Sequence, residues 1–338
     1  MLVSVALCTF NGSQYLKEQI LSILNQDSPV NEIVISDDGS TDGTLSIIGE
    51  LQEINKGVKW IVLQNKSSLG VTKNFEQALS FCTGDIILLS DQDDIWLPQK
   101  TKRIVDYFEQ NPQVNLVFTD AFLVDANGAL KTNRTLFDAC GLRQLMDVWE
   151  SGLQFEIENV IQRLLGATFG LRKGFVQQCL PFSDRVTNYH DGQLAMFSVV
   201  NDCNGLIDEC LIKYRIHGNN VVGLGGENNW VYQSNRTPDE FAKLVEPNPI
   251  NNFFLLPCAD RIRSRIVFYQ ERLSFYNSIT GKFRLIIRVY QYMRYYKHYW
   301  WRFFWGDVLY GVMNDLRRRI VSSYRSYDED KNSVCFGK

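Results

Sequence analysis

The sequence predicts an α/β fold: a mostly parallel, doubly wound sheet with a helical C-terminal extension. Short apolar runs of strand length alternate with segments of helical periodicity over the first 90 residues, the pattern that βαβ units produce. The fourth such run, Asp85–Ser90, leads directly into Asp91-Gln92-Asp93-Asp94, and open α/β sheets bind ligands at the C-terminal ends of their strands. No Gly-x-Gly-x-x-Gly fingerprint and no Walker A loop follows the first run. That argues against a dehydrogenase or a P-loop NTPase.

Taken in order, Leu2–Cys8 reads as a buried first strand, and residues 13–26 show helical spacing through Leu16, Ile20, Leu21 and Leu24. Glu32–Ser36 is a second strand, ended by Asp37-Asp38-Gly39-Ser40; Thr41 or Asp42 then caps a helix running to about Ile54. Trp60–Leu63 is the third strand, Thr72–Phe81 the third helix and Ile86–Ser90 the fourth strand. Beyond Pro112 come a strand at Asn115–Thr119, a hairpin turn at Asp125–Gly128, and strands at Gly166–Leu171 and Leu206–Tyr214. Residues 131–165 are mixed and read as helical in their later part; from about 250 the chain reads as helical, aromatic and basic.

With 338 residues the chain can bury a sizeable core and suggests two structural units. Its net charge of −3 hides an asymmetry: residues 259–338 hold 16 Lys and Arg against 7 acids (+9), the remainder 19 against 31 (−12). An acidic body with a basic tail disfavours a dedicated nucleic-acid binder and suggests a tail that meets an anionic surface. Eight cysteines without a C-x-x-C pair fit a reduced, cytoplasmic protein. No signal peptide is read at the N-terminus, and no run of about 18 uncharged apolar residues suggests a membrane span.

Carboxylates crowded at a strand end repel one another unless a cation lies between them, and hard divalent ions prefer oxygen ligands. Mg²⁺ is typically held by one or two carboxylates together with substrate phosphates. Asp91 and Asp93 therefore suggest a metal-assisted enzyme of a nucleoside diphosphate, with a solvated, helix-capping turn as the plainer alternative.

Four stretches carry a resemblance: Val3–Gly12, Ile33–Thr44, Thr83–Pro98 and Tyr214–Asn220. Together they resemble the GT-A glycosyltransferases of the family 2 type, and among these the bacterial rhamnosyltransferase-like enzymes of surface-polysaccharide assembly. The likeness covers about residues 1–222. It implies a glycosyltransferase domain over 1–225, with a nucleotide-sugar-binding half at 1–115 and an acceptor half at 116–225. A flexible loop at 226–258 and a helical, basic and aromatic region at 259–338 would follow.

The resemblance also implies roles. Thr9, Phe10 and Asn11 hold the nucleobase, and Asp38 accepts the imide N–H of uracil or thymine, although Asp37 and Asp38 can simply shape a turn. Lys73 meets the donor phosphates unless it is merely solvated. Asp91 lies near ribose and metal, Asp93 on the Mg²⁺ or Mn²⁺, and His217 completes the metal site, with the glycine-rich Gly223–Gly226 run behind it able to close over the donor. Asp191 is the base of an inverting transfer, with His190 as runner-up and helix capping as the plain alternative. Trp96 flanks the sugar or belongs to the core. Gly166-Ala167-Thr168-Phe169 matches an acceptor-side strand, imperfectly at Phe169.

Residues 282–305 interleave Lys282, Arg284, Arg288, Arg294, Lys297 and Arg302 with eleven Trp, Tyr and Phe, which suits a lipid headgroup interface. Packing on the catalytic domain or a homodimer face are the competing uses. The expected partners are a nucleoside-diphosphate sugar, a glycan or lipid-linked acceptor and the inner face of a bacterial membrane. A sugar-1-phosphate nucleotidyltransferase and a non-catalytic nucleotide-sugar-binding subunit are the rival functions.

Overall fold

The structure, a computed structural model, describes residues 1–139, 142–143, 164–182, 189–201 and 203–218. The expected glycine-rich loop, the 226–258 linker and the basic, aromatic C-terminal region lie outside these residues. So does most of the helix expected late in 131–165.

Four parallel strands begin the fold: β1 (Val3–Thr9), β2 (Glu32–Asp37), β3 (Lys59–Gln64) and β4 (Ile86–Ser90), in the order β3-β2-β1-β4. Helices α1 (Leu16–Leu24), α2 (Thr44–Ile54) and α3 (Val71–Phe81) connect them. Every residue of β1, β2 and β4 is buried, so both faces of the sheet's centre are covered. β3, at the edge, is half-exposed.

The chain steps outward from β1 to β3 and then crosses back to place β4 on β1's other side. That reversal opens a crevice beyond the carboxyl ends of β1 and β4. Leu7 pairs with Ser90 and Thr9 with Asp37, so the segments after β1, β2 and β4 emerge side by side there.

The second half extends the sheet with strands of mixed direction. β5 (Ile95–Trp96) follows the acidic turn, and α4 (Lys100–Gln110) leads to β6 (Leu116–Val124) and β7 (Leu130–Thr135). Next come a short helix α5 (Leu136–Ala139), β8 (Gly170–Arg172), α6 (Lys173–Cys179), α7 (His190–Val200) and β9 (Asn204–Arg215). The full order is β3-β2-β1-β4-β8-β6-β9-β5, with β7 on β6. β8 is antiparallel to β4 and β6, whereas β9 runs parallel to β6.

One expected strand is shorter than predicted. Gly166–Thr168 forms a 3-10 turn instead, closed by Thr168 N–H and Oγ1–H donating to Leu165 O; pairing begins only at Gly170. Among the described residues, Cys8, Cys82 and Cys210 are free thiols. Among the described residues, no helix is long and apolar enough to cross a membrane.

Candidate active site

A cavity of about 520 Å³ lies at the crevice. Thr9, Phe10, Asn11, Asp38, Asp91, Asp93, Asp191 and His217 all line it.

After β1 the chain turns sharply. Asn11 adopts a left-handed backbone (φ 48°), which asparagine tolerates better than most residues, and its Oδ1 accepts the Thr41 N–H at 2.9 Å. A Cβ on Gly12 would collide with the Gln92 side chain. That closeness lets Gln92 pair both ways with Phe10: the Phe10 N–H donates to Gln92 Oε1 at 2.8 Å, and Gln92 Nε2 donates to Phe10 O at 3.1 Å. The Phe10 ring remains half-exposed at the cavity rim (51%).

The two acids after β2 divide their work. Asp37 shapes the turn, accepting from Thr9 Oγ1 at 2.8 Å and from the N–H groups of Gly39 and Ser40. Asp38 faces the 65–70 loop and accepts four hydrogen bonds from it: Asn65 Nδ2 (3.1 Å), Ser68 Oγ (2.6 Å), Leu69 N–H (2.7 Å) and Gly70 N–H (3.0 Å). Burial alone would raise its pKa, yet these donors outweigh that and lower it.

After β4 the acids crowd. Asp91 is pushed up to about 7 by its burial and by the charges of Asp93 and Asp191, against the opposing Lys100. Asp94 is buried and raised for the same first reason; its Oδ1 accepts the Arg215 N–H at 3.0 Å, while Oδ2 has no hydrogen-bond partner. β9, held to β5 by Ile95–Lys213 pairing, brings in the opposite wall. Arg215, 1% exposed, donates through Nε to Asp93 O at 2.7 Å, and its other nitrogens reach Ala126 O and Glu18. His217 Nε2 then stands 2.9 Å from Asp93 Oδ2, with its ring 4.8 Å from that of Tyr15.

Asp191 sits in the first turn of α7 rather than capping it. Its Oδ2 accepts the Gly166 N–H at 3.3 Å and its Oδ1 the Gly192 N–H at 2.7 Å. His190 is stacked on Phe75, centroids 3.8 Å apart, and burial lowers its pKa to about 4.

Residues 4–180 match the family described as Glycosyl transferase family 2. The chain belongs to that family. An uncharacterised glycosyltransferase of Haemophilus influenzae is 29% identical over 66% of this chain and 68% of its own length. The dTDP-rhamnosyl transferase RfbG of Shigella flexneri is 30% identical over 64% of this chain and 73% of its own length. Among solved structures, the mannosyltransferase PcManGT of Pyrobaculum calidifontis, in complex with GDP-Man and Mn²⁺, superposes with a TM-score of 0.50. It shares 14% identity and covers 87% of this chain and 82% of its own. The fold is thus GT-A, and the chain is a family 2 glycosyltransferase.

Family membership implies a divalent cation, and the donor set suits one. Acids that raise one another's pKa form a site that a cation would relieve. Asp93 and His217 stand together on its edge. Among the described residues, no three His, Cys, Asp or Glu side chains form a ready cage.

One expectation differs from the geometry of this family 2 domain, and a second resolves to its plainer alternative, the core. Lys73 does not line the cavity; its ammonium pairs with Glu76 at 3.2 Å and donates to Phe182 O at 3.3 Å. Trp96 is 3% exposed and underlies Lys100 instead of facing the cavity. Sequence reasoning missed Gln92, Tyr15, Lys100 and Arg215. For Arg215 a signal existed, since a charge inside the apolar strand Leu211–Ile216 needs buried partners.

Proposed function

We propose that this family 2 enzyme transfers a sugar with inversion from a nucleoside-diphosphate donor, with dTDP-rhamnose the first candidate, onto a glycan or lipid-linked acceptor of a bacterial surface polysaccharide. The observation that carries the reading is one cavity shared by the post-β1 segment, the D-x-D acids, His217 and Asp191. The similarity to the Shigella dTDP-rhamnosyl transferase supports the choice of donor.

In this reading Thr9, Phe10 and Asn11 border the nucleobase. Asp191 takes the proton of the acceptor hydroxyl, whose oxygen bonds to the anomeric carbon as the bond to the diphosphate breaks and its electron pair leaves with the nucleotide. Asp93, His217 and Asp91 would hold Mg²⁺ or Mn²⁺, which supplies charge neutralisation for the departing diphosphate. Asp91, partly protonated near neutral pH on its own, becomes fully ionised beside a cation.

The basic and aromatic residues of 282–305 support a peripheral seat on an anionic membrane. Flotation on anionic liposomes tests it: the full chain floats and a chain truncated near residue 258 stays behind. Thermal shift against UDP-, dTDP- and GDP-sugars, with and without Mn²⁺, tests the rest. Stabilisation by dTDP-rhamnose that depends on Mn²⁺ is the expected result, and a flat panel would reject the reading.

A further inference from the structure

Lys100 opens α4 with its side chain fully buried, although no step of the proposed reaction uses it. Its Nζ donates to the carbonyl of Ala167 at 2.9 Å and lies 3.9 Å from the centroid of the Trp96 ring. Ala167 is the middle residue of the Gly166–Thr168 turn, and Gly166, at the head of that turn, gives its N–H to Asp191 Oδ2 at 3.3 Å. The same ammonium is within electrostatic reach of Asp94 and Asp91. One cation is therefore shared between the acidic loop after β4 and the turn that touches Asp191.

Burying an ammonium carries a desolvation penalty that an apolar side chain of the same length avoids. Balancing Asp91 and Asp94 explains the charge, but not the bond to Ala167 O. A carbonyl on a three-residue turn can be met by any donor; here the donor comes from α4, the helix that follows the acidic loop.

We propose that Lys100 is a positioning residue that fixes the Gly166–Thr168 turn against the acidic loop and thereby sets where Asp191 stands relative to the diphosphate site. This rests on Asp191 as the base. Lys100 touches no reacting atom; it acts through Ala167 and Gly166.

The test compares full-length wild type with Lys100→Met and Gly166→Ala. A methyl on Gly166 would lie 3.0 Å from His190 Nε2 and 3.1 Å from the Asp191 Cβ, so it presses the turn and Asp191 apart directly and reports how far turnover depends on that contact. Affinity for UDP and dTDP with Mn²⁺ is read by calorimetry, and turnover on the nucleotide sugar that stabilises the wild type. Both variants are expected to keep nucleotide affinity within about threefold while turnover falls about a hundredfold, the effect of a misplacement near 1 Å. Lys100→Arg, which keeps the charge and the donors, regains part of the loss.

If affinity falls together with turnover in Lys100→Met, the residue serves the donor acids alone and the proposal is overturned; unchanged turnover overturns it too. Should Lys100→Met fail to fold, Lys100→Gln, which keeps a donor without the charge, takes its place, and full activity in Gly166→Ala remains fatal. If the wild type binds neither nucleotide and turns over no sugar, the proposed function has failed instead. Amide exchange at Gly166–Phe169 then still tests the tether: faster exchange in Lys100→Met supports it, equal exchange overturns it.

Discussion

His217 Nε2 lies 2.9 Å from Asp93 Oδ2, although the two residues stand 124 positions apart. Two structural facts produce the meeting. Ile95–Trp96 pairs with β9 directly after the acidic turn, and Arg215 fastens β9 to the Asp93 carbonyl and the Asp94 side chain. The imidazole is therefore delivered by backbone pairing and a buried guanidinium, not by a flexible loop.

Removing either partner should weaken nucleotide binding only when a divalent ion is present. Asp93→Asn is expected to lower dTDP affinity in Mn²⁺ to the level seen in EDTA. His217→Ala should cost at least about tenfold, and the double variant should be no worse than Asp93→Asn alone. Calorimetry with and without EDTA reads this directly. Equal affinities in Mn²⁺ for all three proteins would move the metal elsewhere.

Asp191→Asn keeps the shape and one of the two backbone contacts, since Gly166 and Gly192 donate to different oxygens, and removes the basic site. Turnover should fall by about a hundredfold to ten-thousandfold, the usual worth of a positioned base. Nucleotide affinity should hold, because Asp191 does not carry the diphosphate in this reading. An active Asp191→Asn enzyme would transfer the role to another group.

Asp38 offers a sharper choice. A carboxylate has about four acceptor positions, and the 65–70 loop fills four of them. If Asp38 chiefly holds that loop, Asp38→Asn weakens UDP, dTDP and CDP alike, because the new amide N–H₂ faces loop donors. If it reads the base imide directly, the variant loses UDP and dTDP while gaining CDP, whose N3 accepts. The observed bonding favours the uniform loss, and a calorimetric series over the three nucleotides distinguishes the outcomes.

The nucleotide half was legible because β1, β2 and β4 are covered on both faces, which forces unbroken apolar runs ended by polar turns. Thr9, Asp38, Asp91 and Asp93 follow from those strand ends. Asp191 and His217 came from resemblance, since nothing local in Tyr189–Gly192 or His217–Asn220 says which wall they face. What stayed hidden depends on tertiary contacts. β5, Ile95-Trp96, is two residues long, too short to show a period, and β7 reads Leu-Lys-Thr-Asn-Arg-Thr, mostly exposed, so it carries no apolar signal. Lys73 looked free to reach phosphate, yet Glu76 one helical turn on and a carbonyl from residue 182 engage it. Lys100 gave no signal at all: Lys100-Thr101-Lys102-Arg103 reads as a solvated basic run, and only the fold buries its first member.

At the opposite end of the sheet, Glu32 predicts how the fold responds to acid. Its carboxylate, 2% exposed, accepts from Lys59 Nζ at 2.7 Å, from Thr83 N–H at 2.7 Å and Oγ1 at 2.8 Å, and from the Ser4 hydroxyl. These bonds clamp β1, β2, β3 and the turn before β4. Burial alone would raise the pKa, but the donors outweigh it and hold Glu32 at about 2, against an ordinary 4.5. The folded value is depressed, so its stabilisation is complete above the unfolded pKa and is lost as pH falls towards the folded one. The shift corresponds to about 3 kcal/mol at neutral pH. Glu32→Gln presents an amide N–H₂ to donors and forfeits the charge, so it should unfold at lower urea near neutral pH. The gap to wild type should then narrow between about pH 4.5 and pH 2 as the native carboxylate takes up its proton. Urea midpoints across that window measure the effect; a gap that stays constant down to the acid end would mean that shape, not charge, makes Glu32 matter.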